Sequence, residues 1–125
     1  MKTTQVKIAG REFSLCFTLD AMAELEERIE GFDLNRLTEY THKSGTLADM
    51  ITAMARQGEL LEGRTLDVDR AWIGSHINPA PVRIATLQIA VLTAAANGMT
   101  METEEEDGPR DVVLDEIKKK ETPED

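Results

Sequence analysis

At 125 residues, with 41% hydrophobic residues, one cysteine and a net charge of −10, the chain reads as one domain large enough to bury a core. That balance excludes global disorder, an internal disulfide and a Cys-rich zinc site, and it offers nucleic acid no basic footprint. No apolar run reaches the roughly 20 residues of a membrane span, and Met-Lys-Thr-Thr at the start lacks a signal-peptide core, so the expected location is the cytoplasm.

The first element is a tight hairpin. With Ala9-Gly10 as a two-residue loop, Val6 opposes Phe13, Lys7 opposes Glu12 and Ile8 opposes Arg11. Val6, Ile8, Phe13 and Leu15 then share one apolar face, and Lys7 meets Glu12 on the other. Gly10 supplies the positive φ of the turn, with a one-residue bulge as the alternative. Two strands are marginal in water, so the apolar face must pack on helices.

Thr18 is expected to cap a first helix over 19–30, with Asp20 in its first turn, Leu19, Met22, Ala23, Leu25 and Ile29 inward, and Glu24, Glu27 and Glu30 outward. Gly31 ends it, and Asp33 caps a short helix through Leu34, Leu37 and Tyr40 that closes near Ser44-Gly45. Thr46 and Asp49 read as a capping box for the most amphipathic helix, in which Leu47, Met50, Ile51, Met54, Ala55, Gly58 and Leu61 keep helical spacing. Gly63 stops that helix. Asp67 is expected to cap a short segment through Val68, Ala71, Trp72 and Ile73, which breaks at Asn78-Pro79. Pro81 then opens a last helix whose only polar residues from Val82 to Ala96 are Arg83, Thr86, Gln88 and Thr93. So apolar a helix is expected to be the central strut, surrounded by protein and closed by Asn97-Gly98.

Charge separates the body from the end of the chain. Residues 1–100 hold 10 basic and 13 acidic side chains, and residues 101–125 hold 4 and 11. The run Glu104-Glu105-Glu106-Asp107 lacks the spacing of a calcium loop and reads as a flexible acidic linker. Val112, Val113, Leu114 and Ile117 read as a short helix turn or a docking strand before Lys118-Lys119-Lys120. The expected organisation is therefore a hairpin plus a bundle of four to five helices over 1–98, an α+β but mainly α fold, followed by an acidic, largely flexible tail over 99–125.

No residue pattern points to catalysis, a cofactor or a metal. His42 and His76 lie near element ends and form no ligand pair, which suits surface or capping roles. Ser14, Ser44 and Ser75 lack a nucleophile-elbow context. Glu24, Glu26 and Glu27 read as a solvated helix face rather than paired acid–base carboxylates. Cys16 has no His or Lys beside it in sequence to lower its pKa and reads as an ordinary strand residue.

The opening Gly10-Arg11-Glu12-Phe13-Ser14-Leu15-Cys16-Phe17-Thr18-Leu19, followed by Ala21-Met22-Ala23-Glu24-Leu25-Glu26-Glu27, resembles the start of the tail assembly chaperones of long-tailed bacteriophages, prophages and gene transfer agents. Ile8-Ala9-Gly10 stands where that pattern has Ile-Gly-Gly, and Phe13 takes its aromatic place. The resemblance covers residues 5–30; over 31–98 it extends to size and helical order. It implies a non-enzymatic protein of the host cytoplasm that binds the tape-measure protein, delivers it to the major tail protein and is absent from the mature virion. It also implies a frameshifted longer form in some relatives, for which Lys118-Lys119-Lys120 fits an A-rich slippery site. A tail-completion protein or small adaptor module is the alternative, and an unrecognised small enzyme a further one.

A chaperone for varied helices needs an adaptable apolar surface, which methionine provides. Met22, Met50 and Met54 are accordingly the candidate partner-binding residues, with core filling as their alternative. Trp72 reads as a core anchor, or as a partner-facing hot spot.

Overall fold

The hairpin forms with the expected register: β1 (Thr4–Ile8) pairs antiparallel with β2 (Arg11–Leu15), and Val6 faces Phe13, Lys7 faces Glu12 and Ile8 faces Arg11. Val6, Ile8, Phe13 and Leu15 are all buried, so one face of the ribbon is core and the other faces water. No bulge intervenes. Both loop residues have positive φ, Ala9 at 53° and Gly10 at 80°, as a turn matched to right-handed strand twist requires. Ala9 thus occupies a region that costs a Cβ-bearing residue about 1 kcal/mol. Ala9→Asn, exposed and tolerant of that region, is expected to raise stability by roughly 0.5 kcal/mol, seen as a higher denaturant midpoint at unchanged slope.

The computed structural model describes residues 2–100, and the expected acidic tail, apart from Met99 and Thr100, lies outside the described residues. Within them the fold is α+β and mainly α: the hairpin, then α1 (Leu19–Arg28), a 3₁₀ turn (Leu34–Arg36), α2 (Leu37–Thr41), α3 (Ser44–Leu61), α4 (Arg70–Ser75) and α5 (Pro81–Gly98). No described helix is long and apolar enough to cross a membrane.

The centre of the molecule is α3, not α5. Ten of its residues are buried, among them Met50, Ile51, Ala53 and Met54, and β2, α1, α2, α4 and α5 all pack against it. Its small residues are the reason: Ala48, Thr52, Ala53, Ala55 and Gly58 let neighbours approach from several sides. Gly58 matters most. A Cβ there would overlap the Ser14 carbonyl and sit 2.8 Å from Leu15 N, so the helix is notched where the hairpin crosses it. The same crossing satisfies the strand edge: Cys16 N–H donates to the Met54 carbonyl at 3.0 Å, and Ser14 N–H donates to Glu59 Oε2 at 2.8 Å. Cys16 lies just past β2 and is fully buried.

The last helix, by contrast, lies on the outside. Pro81 occupies its first turn as expected, but only Leu87, Val91, Ala94 and Ala95 are buried, while Val82 is 80% and Ile89 66% exposed. Total hydropathy misplaced it because burial requires neighbours on every side, and α5 has them on one.

Several local expectations shift by a residue or two. Thr18 caps α1, accepting from Ala21 N–H at 3.1 Å, but the inward residues are Ala21, Leu25 and Ile29, with Met22 half-buried and Leu19 and Ala23 exposed. Glu24 turns inward instead, held by Arg28 at 3.2 Å and by Arg56 of α3 at 3.1 Å. Asp33 caps the 3₁₀ turn as expected, accepting from Asn35 N–H at 3.0 Å. The capping box at Thr46 does not form: α3 starts at Ser44, so Thr46 is already helical and its hydroxyl donates to the Tyr40 and Lys43 carbonyls. Asp49 is thereby free of capping and pairs with Arg70 at 2.8 Å. Asp69, rather than Asp67, caps α4, accepting from Trp72 N–H at 2.8 Å, and Asp67 instead holds Arg11 at 2.5 Å across the surface.

Candidate partner-binding surface

The four residues singled out from sequence do not form one site. Met50 and Met54 are fully buried on α3, which corrects their assignment to a partner surface: they fill the core. Trp72 is half-buried and joins α4 to the hairpin. Its ring meets Phe13 edge-on at 6.0 Å and stacks on His76 at 4.1 Å, with the Arg11 guanidinium 5.4 Å away. It is an anchor at the edge of the core. Met22 alone of the three methionines reaches a groove.

That groove lies where the end of the hairpin, the first turn of α1, Leu34 and the last turn of α5 meet. Its volume is about 220 Å³, and Phe17, Leu19, Met22, Leu34 and Met99 supply an almost wholly apolar lining. Leu19 is 76% exposed, so the apolar surface continues outward from the groove. A larger groove of about 600 Å³ opens between the start of α3, α4 and the start of α5, over Leu47, Ile51, Ile77 and Ile84. Its charged wall residue, Arg70, is engaged by Asp49 and donates to the Gly45 carbonyl at 3.3 Å.

The outer face of α5 runs between the two. Val82, Ala85, Thr86, Ile89, Thr93 and Ala96 fall on one side of the helix at successive turns, and every one is exposed. The 18-residue helix holds a single charged side chain, Arg83, in a chain of net charge −10. Sequence reading missed this face because it took the absence of charge as a sign of burial. The signal that separates the two is the weak one-sided pattern of Leu87, Val91, Ala94 and Ala95 against Thr86 and Thr93 on the other side.

The titratable groups do structural work. Both histidines sit at helix C-termini, with Nδ1 2.8 Å from the Thr38 carbonyl in His42 and from the Trp72 carbonyl in His76. Among the described residues no group of three His, Cys, Asp or Glu is placed to hold a metal ion. Glu59, unremarkable in sequence, is 6% exposed and ties α3 to β2 and to the loop after α3: it accepts from Ser14 N–H and from Arg64 Nε, both at 2.8 Å. The Arg64 hydrogen bond, helped by Ser14 N–H and opposed by burial, holds its carboxyl below the usual carboxylate range. Being lowered in the folded state, this pKa contributes stability that is complete above the unfolded value of about 4.3 and is lost as pH falls through the folded value. Glu59→Gln is therefore expected to destabilise the chain at neutral pH and to flatten the loss of stability below about pH 4.3, as read by denaturant midpoints over a pH series. A variant whose acid profile matched the wild type would remove Glu59 from that role.

Comparison of the chain with protein-family models, with curated proteins and with solved structures finds no significant match.

Proposed function

We propose that this chain is a non-enzymatic binding protein of the tail assembly chaperone type, holding the tape-measure protein and assisting assembly of the tail tube with the major tail protein. The observation that carries the reading is the α5 face: a long, exposed and uncharged helical surface on an otherwise acidic body. Such a face is anomalous for a solvated helix and suited to amphipathic segments of a partner. The hairpin that runs straight into the Thr18-capped α1 follows the order of elements that the resemblance of residues 5–30 implies, and this supports the same reading.

Co-expression tests it. The wild-type chain should keep an otherwise insoluble tape-measure protein in the supernatant, and Ile89→Lys should abolish that effect while leaving the melting temperature within a degree or two, because Ile89 is exposed. A tape-measure protein that stays insoluble with the wild-type chain removes the chaperone assignment. A tight complex with a tube or connector ring instead would make the chain a tail-completion module.

A further inference from the structure

The groove around Met22 is too small for an ordinary small-molecule site, which occupies roughly 300–1,000 Å³, against about 220 Å³ here. It has the scale of a socket for aliphatic side chains, with Leu19 and Met99 exposed at its rim. What lies beside it is more telling. Asp20 is exposed next to Leu19, Glu26 follows Met22 by one helical turn and Glu27 follows Leu19 by two, and both glutamates are exposed. Among the described residues, the arginines of α1 and its neighbours are already engaged: Arg28 and Arg56 hold Glu24, and Arg36, beside Leu34, holds Glu39 at 2.9 Å. An apolar socket thus passes along one face of α1 into a row of carboxylates that no described cation pairs with.

We propose that this groove takes an amphipathic helix of a partner protein, one with Lys or Arg about one and two turns from its apolar anchors. This rests on the reading above that the chain holds partner segments, and it assigns their chemistry. Charge argues against a second copy, which would bring its own acidic α1 against this one. The chain's own apolar segment Val112–Ile117, bordered by Arg110 and Lys118–Lys120 as well as by Asp111, Asp115 and Glu116, is the rival occupant that the variants below decide.

The test uses the full chain and a labelled helical peptide with leucines spaced i, i+4 and i+7 and lysines flanking them, beside a twin in which each lysine is glutamate. The lysine peptide should bind about tenfold or more tightly than its twin and weaken at high salt. Leu19→Ser should weaken it about tenfold. The double change Glu26→Lys and Glu27→Lys should reverse the preference, and neither variant should shift the melting temperature, since all three side chains are exposed. Equal binding of both peptides, or binding indifferent to these variants, overturns the proposal. A roughly tenfold gain on Leu114→Ser with Ile117→Ser also overturns it, by assigning the groove to the chain's own end. So does a dimer in light scattering that Leu19→Ser dissociates. The two readings separate cleanly. Lysine-peptide binding here without solubilisation of a tape-measure protein upholds the groove and removes the chaperone role. Solubilisation undiminished by Leu19→Ser overturns the groove and keeps that role.

Discussion

Gly58→Ala is expected to lower stability by roughly 3 kcal/mol, a large share of the 5–15 or so that holds a typical domain together. Elsewhere in a helix the same change ordinarily adds about 0.5–1 kcal/mol, because alanine loses less backbone entropy on folding. Here the sign reverses. The added methyl would overlap the backbone of Ser14 and Leu15, which cannot rotate away as a side chain would. The hairpin would have to lift from α3, weakening the bonds from Cys16 N–H to Met54 and from Ser14 N–H to Glu59 together. Gly45→Ala is the matched control: it lies in the first turn of the same helix with open space around it, and it should be neutral or mildly stabilising. Chemical denaturation of the pair reads the contrast. A Gly58→Ala protein as stable as Gly45→Ala would mean that the hairpin is not seated in the notch.

Leu87→Asp is expected to unfold the domain. Leu87 has no exposed surface, and an unpaired carboxylate there costs several kcal/mol beyond the roughly 2–5 lost on truncating a buried leucine to alanine. Ile89→Asp, two positions further on the same helix, should stay within about 0.5 kcal/mol of wild type because its side chain is in water. Circular dichroism melts of the two variants distinguish a one-sided helix from a strut buried all round. Loss of folding in both would restore α5 to the centre of the protein, and an unchanged melt for Leu87→Asp would detach α5 from the core.

Much of the backbone was legible because its signals are local. The hairpin register follows from matching two short alternating patterns across Ala9-Gly10, and the alternative registers would put Lys7 or Glu12 into the core. Thr18, Asp33, Pro81 and Gly63 mark helix ends by chemistry that acts within a few residues. Where two caps competed, sequence chose wrongly. Asp67 and Asp69 are equally good N-cap residues, and the choice between them falls to Arg11, a residue 56 positions away that draws Asp67 to itself. Thr46 caps nothing, because α3 already begins at Ser44 with Lys43 in the N-cap position and no side chain capping it.

The candidate surface was less legible. Met22, Met50 and Met54 are the same residue at similar helical positions, and their side chains carry no mark of which will meet solvent. Burial was decided by where α1 and β2 sit against α3, which leaves Met50 and Met54 enclosed and Met22 at the lip of a groove. The rank of the two long helices was inverted for the same reason. α5 is the more apolar, yet α3 is the more buried, because its glycine, threonine and alanines admit neighbours from several directions. Sequence by itself determined the elements, their order and the two faces of the hairpin, since backbone propensity and short-range hydrogen bonds suffice for these. Only the tertiary structure decided which helix became the core and which apolar face was left in water, because enclosure is a property of packed neighbours and not of the residues enclosed.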